Sequence, residues 1–229
     1  MKIHERENRG QTRTGWLDSR HTFSFGGFQD PSRMGFRTLR VVNDDRVIPG
    51  AGFGTHGHRD MEIITYVISG ALAHKDSLGN GSVIRPGELQ RMSAGTGIEH
   101  SEFNHSDADG VHFLQIWVLP EKQGLPPGYE QKPALAGDGY FKLIGDRLGT
   151  DGAITIHQDV GIYLAHLPEG KEASYHFQEG RGGFLQLVRG EVSIDGEKIR
   201  EGDGLEINQS GKINVKALND SEIMLFDLG

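Results

Sequence analysis

The chain has 229 residues, with 24 Lys and Arg against 32 Asp and Glu, which gives a formal net charge of −8. This acidic balance, together with the absence of a cluster of basic residues, argues against direct binding to nucleic acid. The chain contains no cysteine, which excludes disulfides, thiolate-bound metals and cysteine nucleophiles.

The composition and the pattern of apolar residues favour an all-β fold. Glycine accounts for 34 residues, which is about twice its usual share. Short apolar segments are bounded by Gly, Pro, Asn and Asp, and no long stretch shows a helical period. The opening MKIHERENRG lacks the apolar segment of a secretory signal, and no apolar run approaches the roughly 20 residues of a membrane span. We therefore expect a cytoplasmic β protein without membrane contact.

The first half of the chain predicts a series of strands separated by turns. Apolar β segments are expected at residues 21–25, 36–42, 63–76, 82–95 and 111–120. We expect the segment at 36–42 to end in a turn at residues 43–45, because their sequence Asn-Asp-Asp favours turns. Hairpin turns are expected at Leu78-Gly79-Asn80-Gly81 and, in the second half, at Asp195-Gly196.

A proline-rich segment divides the chain. Four of the eight prolines lie between Pro120 and Pro133, in the sequence PEKQGLPPGYEQKP. Because proline interrupts regular structure, this segment is the best candidate for a linker. The sequence therefore predicts an N-terminal domain at residues 1–122, a linker at 123–134 and a C-terminal domain at 135–229.

The second half of the chain repeats the pattern of the first. When Gly190 is aligned with Gly70, the β segments match and His176 falls opposite His56. The other potential metal ligands of the first half have no counterpart, since the matching residues are Gln178, Val215 and Ala217. We interpret this as an internal duplication in which one copy kept a metal site and the other did not.

Two short motifs supply four potential metal ligands. His56 and His58 are separated by one residue, as are His100 and Glu102. Residues i and i+2 of a strand point to the same face, so two neighbouring strands would present three imidazoles and a carboxylate to one ion. Such ligands suit Fe, Mn, Co, Ni, Cu or Zn. The sequence therefore predicts one divalent transition-metal ion.

Glu62 is the alternative carboxylate ligand. It has the same strand parity as His58, but the four residue steps from His58 to Glu62 span about 13 Å in an extended strand. Glu62 would reach the ion only if the chain bends back at Arg59-Asp60. We favour Glu102 as the ligand and Glu62 as a neighbouring group, and the sequence leaves open whether Glu62 also approaches the metal.

Other histidines and aromatic residues are assigned lesser roles. Surface or otherwise satisfied positions are expected for His74, His105, His157 and His166. Packing within the first domain is expected for His21 and His112. Candidates for lining the mouth of the barrel, where ligands usually bind, are Phe23, Phe25, Phe53, Phe113 and Trp117, although core packing is favoured for each of them taken singly.

The strings that carry these motifs resemble the pirin family. FGTHGHRDMEI contains His56 and His58, SAGTGIEHSE contains His100 and Glu102, and HTFSF begins at His21. The resemblance extends over essentially the whole chain and is closest to bacterial pirin-like proteins with quercetinase activity. It implies an all-β bicupin, two tandem cupin barrels, with one mononuclear metal centre in the first. The four motif residues would be its ligands, and iron is the metal expected first.

The resemblance also implies a reaction and its alternatives. The reaction is the opening of a flavonol (quercetin-type) ring by O2 with release of CO, so the partners would be a small aromatic substrate and O2. Glu102, released from the ion, would act as the catalytic base toward the flavonol 3-hydroxyl. The alternative is a pirin-like regulatory protein that binds a protein partner in a metal-dependent way without turnover. A weaker third interpretation is a cupin isomerase or hydrolase.

Overall fold

The computed structural model describes all 229 residues, and almost all of its regular structure is β-strand. The helices are two single 3-10 turns, Arg6–Asn8 and Thr150–Gly152. No helix has the length and apolar character needed to cross a membrane. The all-β prediction is confirmed.

The chain forms 23 strands. Those of the first 133 residues are β1 (Lys2–His4), β2 (Gly10–Arg13), β3 (Leu17–His21), β4 (Leu39–Val47), β5 (Gly52–His58), β6 (Glu62–Ser69), β7 (Leu72–Asp76), β8 (Gly81–Ile84), β9 (Glu88–Ser93), β10 (Ile98–Asn104), β11 (Val111–Val118) and β12 (Gly128–Pro133). Those that follow are β13 (Gly137–Asp138), β14 (Lys142–Asp146), β15 (Ile154–Thr155), β16 (Val160–Leu167), β17 (Glu172–Phe177), β18 (Gly182–Arg189), β19 (Glu191–Ile194), β20 (Glu197–Arg200), β21 (Gly204–Ile207), β22 (Gly211–Ala217) and β23 (Ser221–Leu228).

The first compact unit comprises Gly10–Pro133 and Ile154–Gln158. Its larger sheet has the strand order β12-β9-β6-β11-β4-β3-β2, and its smaller sheet has the order β5-β10-β7-β8. Alternate residues of these strands face inward, and apolar ones form a core that includes Val67, Leu72 and Phe113. This unit, called the first barrel below, carries both histidine motifs.

The second compact unit comprises Met1–Arg9, Ala134–Ala153 and Asp159–Gly229. Its larger sheet includes the run β1-β21-β18-β23-β16-β14, and its smaller sheet has the order β17-β22-β19-β20. The interior of this second barrel is filled by apolar side chains, and many of them, such as Leu185, Ile194 and Val215, are fully buried. The two barrels together make the predicted bicupin.

Both predicted hairpin turns are present. Strand β7 ends at Asp76 and β8 begins at Gly81, which leaves the expected turn between them. In the second barrel, Ile194 pairs with Glu197 across a two-residue loop. The loop residues Asp195 and Gly196 have φ of 52° and 87°. Two positive φ values define the tight turn that Asp-Gly favours.

The turn predicted at residues 43–45 is wrong. Strand β4 continues through these residues to Val47, and it pairs with β3 on one side and β11 on the other. The side chains of Asn43, Asp44 and Asp45 are all buried. Local turn propensity is overridden here because pairing on both edges satisfies the backbone, and the polar side chains find other roles.

The predicted linker at 123–134 contains a strand. Residues Gly128–Pro133 form β12, which pairs along its length with β9 of the first barrel. Because β12 lies at the edge of its sheet, Pro133 at its end removes no hydrogen bond from a central ladder. The boundaries also differ at the amino end, since Met1–Arg9 belongs with the second unit rather than with residues 10–122.

Candidate metal centre

Three histidines converge in the first barrel. Strands β5 and β10 are antiparallel neighbours, and their register places His56 opposite His100. The Nε2 atom of His100 lies 3.1 Å from Nε2 of His58 and 3.1 Å from Nε2 of His56. Sequence spacing predicted this meeting, and the structure brings the three rings together.

The geometry of the three nitrogens fits a metal ion. Two nitrogens bound at about 2.1 Å and at right angles around one ion lie about 3.0 Å apart. Burial, followed by the neighbouring histidines, lowers the pKa of His100 to about 3 and that of His58 to about 4. Both rings are therefore neutral at pH 7, and their lone pairs are available to a cation.

Local features of the β5 backbone orient the histidine side chains. From His100 to Glu102 on β10, the paired positions on β5 run from His56 to Phe53, so β5 has one extra residue in a bulge. Within it, the Nδ1–H of His56 donates to the carbonyl of Gly54 at 2.8 Å. This hydrogen bond leaves Nε2 of His56 with a lone pair available to a cation.

Glu102 lies beside His100 but is held by other groups. Its carboxylate oxygens accept hydrogen bonds from Nε2 of Gln115 at 2.9 and 3.2 Å. Burial raises the pKa of Glu102 to about 7. Its ligand atom groups with those of His74 and His100, within 4.8 Å of one another, whereas the group of three converging histidines does not include it. The structure therefore places this carboxyl next to the histidine cluster rather than within it.

Glu62 is directed elsewhere. Its Oε2 atom accepts hydrogen bonds from the backbone N–H and the Nδ1–H of His157, both at 3.1 Å, and lies 4.0 Å from Nε of Arg91. The carboxylate is buried in this arrangement. The Glu62 carboxylate is thus hydrogen-bonded within a different cluster. His157 has hydrogen-bond partners there, as expected.

His74 was assigned to an ordinary position, but its side chain is fully buried next to the candidate centre. Its Nε2–H donates to Oδ2 of Asp76 at 3.2 Å, and its ring centre lies 5.3 Å from that of His100. The register of β7 against β10 places His74 opposite Glu102. The signal in the sequence was its spacing from Asp76, which is the i, i+2 spacing of the other two motifs.

A partly open cavity of about 270 Å³ adjoins the histidines. Three of the five aromatic candidates, Phe25, Phe53 and Trp117, line it, whereas Phe23 is buried and does not. The Trp117 indole stands edge-to-face against both His58 and Phe25, with ring centres 5.0 and 5.4 Å apart. Phe113 instead belongs to the core.

The cavity wall also contains polar side chains, which the sequence did not predict. The Nδ1–H of His21 donates to Oδ1 of Asn43 at 2.9 Å, and its Nε2 accepts from the hydroxyl of Thr12 at 2.8 Å. Asp45 lines the same cavity, and burial raises its pKa to about 7. His21 is therefore part of the cavity wall as well as a packing residue.

The second barrel has no comparable histidine cluster. In the first barrel, His58 pairs with Ile98 and His56 with His100, whereas in the second Tyr175 pairs with Ile213 and Ala173 with Val215. His176 pairs with Lys212, and its side chain is exposed. The alignment of His176 with His56 therefore does not hold in three dimensions, because Ala173, three residues earlier, is the residue that pairs with Val215, the counterpart of His100.

Comparisons with known proteins cover both barrels. The family model described as Pirin matches residues 2–118, and the one described as Quercetinase C-terminal cupin domain matches residues 143–228. The chain is 44% identical over 226 residues to quercetin 2,3-dioxygenase of Escherichia coli K12, which covers 99% of this chain and 97% of that protein. It is 38% identical over 216 residues to a pirin-like protein of Caulobacter vibrioides, which covers 93% of each.

Solved structures show the same architecture. The crystal structure of YhhW from Escherichia coli superposes with a TM-score of 0.96 at 43% identity, covering 100% of this chain and 97% of the other. The bacterial pirin YhhW in complex with nickel(II) gives a TM-score of 0.95 at 43% identity, covering 99% and 98%. The histidine cluster and the nickel complex of this relative together support a divalent-metal site in the first barrel.

Proposed function

Since the chain belongs to the pirin family, we propose that it is a metal-dependent dioxygenase that opens a flavonol ring with O2 and releases CO. The observation that carries this proposal is the convergence of three imidazole nitrogens at a partly aromatic cavity whose wall also includes the buried carboxyl group of Glu102. Relatives named quercetin 2,3-dioxygenase that match the full length of the chain support the substrate class.

The proposed ligands are His56, His58 and His100 through Nε2, with Glu102 as the fourth. Iron is the preferred metal of the proposal, and Mn, Co, Ni, Cu or Zn suits the same donors. When bound, the ion supplies a Lewis acid that lowers the pKa of a substrate hydroxyl and leaves positions open for small molecules. A site with only three or four protein ligands suits this role better than a closed structural site.

The side chains around the cavity have separate tasks in this proposal. Glu102 accepts the proton of the flavonol hydroxyl at a carboxylate oxygen, and a carboxyl pKa of about 7 suits such a base near neutral pH. Gln115 orients that carboxylate through its two hydrogen bonds. Phe25 and Trp117 pack against the substrate ring and exclude water. In the balanced reaction, both atoms of O2 enter the organic product and one ring carbon leaves as CO.

The test is flavonol consumption with detection of CO, using protein loaded separately with Fe(II), Mn, Co, Ni and Cu in air. We expect His58→Ala to lose both metal and turnover. Glu102→Gln should lose about 10²-fold or more in kcat while keeping most of its metal. The matched control is His176→Ala, which removes an exposed histidine of the second barrel and should leave both unchanged.

Other outcomes would point to other functions. Stoichiometric metal binding without turnover under any condition would reject the dioxygenase and favour the regulatory alternative, in which a protein partner binds in a metal-dependent way. Conversion of a substrate at the same rate without O2 would favour an isomerase or hydrolase. Full turnover in Glu102→Gln would contradict the role of Glu102 as the base, and the proposed metal site would still stand.

A further inference from the structure

The cavity beside the histidines contains a buried oxygen atom without a partner. Asp45 is only 3% exposed, and its side chain lines the cavity. The hydroxyl of Ser19 donates to the Asp45 carboxyl, but Oδ1 of Asp45 has no hydrogen-bond partner. Leaving a buried polar atom unpaired costs roughly 1–3 kcal/mol, so such an atom calls for an explanation.

The surroundings of Asp45 form a continuous polar surface. On β3 and β4, Ser19 pairs with Asp45 and His21 pairs with Asn43, and on β11 Gln115 continues the row next to Asn43. All five residues line the cavity. The interior of the second barrel, by contrast, is filled largely by apolar side chains. A row of polar groups that lines a cavity is suited to a ligand with several hydroxyl groups.

Asp44, the residue before Asp45 in β4, provides a comparison, because its carboxylate accepts hydrogen bonds within the sheet. Asp44 points to the opposite face of β4, where its Oδ1 accepts from Arg46 at 2.7 Å and from His112 at 2.9 Å. Asp45 has no basic partner. The contrast between the two carboxyls indicates that Asp44 stabilises the sheet, whereas Oδ1 of Asp45 is left without a partner in the cavity wall.

A second unpartnered polar atom belongs to the same cavity. Trp117 lines it from β11, two residues beyond Gln115 on the same strand face, and its indole Nε1 is buried without an acceptor. The cavity wall thus includes two buried polar atoms without a partner, an acceptor on Asp45 and a donor on Trp117. A ligand that satisfies both must carry a hydroxyl group and an oxygen acceptor on an aromatic frame that packs against Phe25.

We propose that Asp45 is a specificity-determining residue that accepts a hydrogen bond from a second hydroxyl of the substrate, other than the one at the histidines. The inference rests on the proposed function and refines its substrate class to polyhydroxylated aromatic molecules that also carry a carbonyl or ring oxygen. A flavonol hydroxylated on its outer rings meets this description. A flavonol whose only hydroxyl is the 3-hydroxyl does not.

The experiment compares quercetin with unsubstituted 3-hydroxyflavone. Binding to Ni(II)-loaded protein is measured without oxygen, by quenching of tryptophan fluorescence, so that the readout does not depend on turnover. A hydrogen bond to a carboxylate is worth about tenfold or more in affinity. We expect the preference for quercetin to fall by about this factor in Asp45→Leu and to be largely kept in Asp45→Asn, whose carbonyl still accepts. Asp44→Asn is the matched control and should keep the preference of the native protein.

The outcomes separate this inference from the function on which it rests. An unchanged preference in folded, metal-loaded Asp45→Leu would overturn the role of Asp45 and leave the dioxygenase proposal standing. If the native protein binds neither flavonol, the proposed function itself falls. Should Asp45→Leu fail to fold, flavonols with single hydroxyls capped as methyl ethers test the native protein. Equal binding of every capped compound would overturn the role of Asp45.

Discussion

At the scale of single residues, burial sets the protonation of the candidate centre. It lowers the pKa values of His58 and His100 and raises that of Glu102. All three shifts have the same cause, because burial disfavours the charged form of an acid and of a base. At neutral pH the two histidines are ready to bind a cation, whereas Glu102 is divided between its protonated and ionised forms.

This protonation pattern predicts how metal affinity depends on pH. With a pKa of about 7 in the metal-free protein, Glu102 holds a proton below pH 7 that a bound ion must displace. Affinity should therefore fall as pH decreases from 7 to 5, by up to about tenfold per unit, and level off above 7. His58 and His100 add no slope in this range, because their pKa values are about 4 and 3.

The measurement is calorimetric titration of metal-free protein with Ni(II) at several pH values. Glu102→Gln has no carboxyl to deprotonate, so metal binding should release about one proton fewer than in the native protein. Its affinity should therefore depend less steeply on pH. Identical slopes in the two proteins would mean that Glu102 is not a metal ligand. The comparison depends only on the difference between them, so protons released by other groups cancel.

At the scale of structural elements, the centre depends on how closely β5 approaches β10. A Cβ atom on Gly52 would lie 2.2 Å from the carbonyl oxygen of Glu102 and 2.5 Å from Cα of Phe103. Both are backbone atoms, which cannot move without displacing the strand. Glycine is therefore needed at this position to bring the two ligand-bearing strands together at the bulge.

Gly52→Ala should accordingly push β5 away from β10. We expect the free energy of unfolding to fall by about 1–3 kcal/mol and the metal affinity to weaken, since overpacking distorts the backbone. Gly54→Ala on the same strand is the control, because a Cβ there meets nothing within 4 Å. Urea denaturation of the metal-free variants measures the effect. If both variants unfold like the native protein, the close approach does not constrain the strands.

At the scale of the whole molecule, the amino-terminal segment completes the second barrel. Strand β1 pairs with β21, Nε2 of His4 lies 2.6 Å from Oε1 of Glu206, and Nη2 of Arg9 donates to Oε1 of Gln186 at 2.8 Å. These contacts are buried. Residues at the start of the chain thus stabilise a barrel whose remaining strands begin more than 120 residues later.

Deleting residues 1–9 should therefore destabilise the second barrel and spare the metal centre. We expect the free energy of unfolding to fall by about 3 kcal/mol or more, because the pairing of β1 with β21 and the buried hydrogen bonds of His4 and Arg9 would be lost. Metal content, measured by mass spectrometry under native conditions, should stay at one ion per chain. Lys2→Ala, which alters an exposed side chain of the same segment, should have little effect. An unchanged denaturation midpoint after the deletion would contradict the structural role of β1.

The sequence by itself determined those features that depend on neighbours along the chain. The all-β class followed from short apolar segments, and the turns at Leu78–Gly81 and Asp195-Gly196 followed from residues that tolerate positive φ. The placement of His56 and His58 on one face of β5 followed from the two-residue period of a strand. The resemblance of whole sequence motifs to the pirin family indicated the fold. The spacing of the metal-binding residues alone would not have identified the family.

Only the tertiary structure decided features that depend on which strands become neighbours. The local sequence predicts a turn at Asp45. Its place in the cavity wall instead results from the pairing of β4 with β3 and β11. His74 and Glu62 acquire their partners in the same way, across strands. Strand register is set by packing of the whole barrel, and a shift of one residue turns every side chain to the other face. For this reason the spacing within a strand predicted its ligands, but not which other groups surround them.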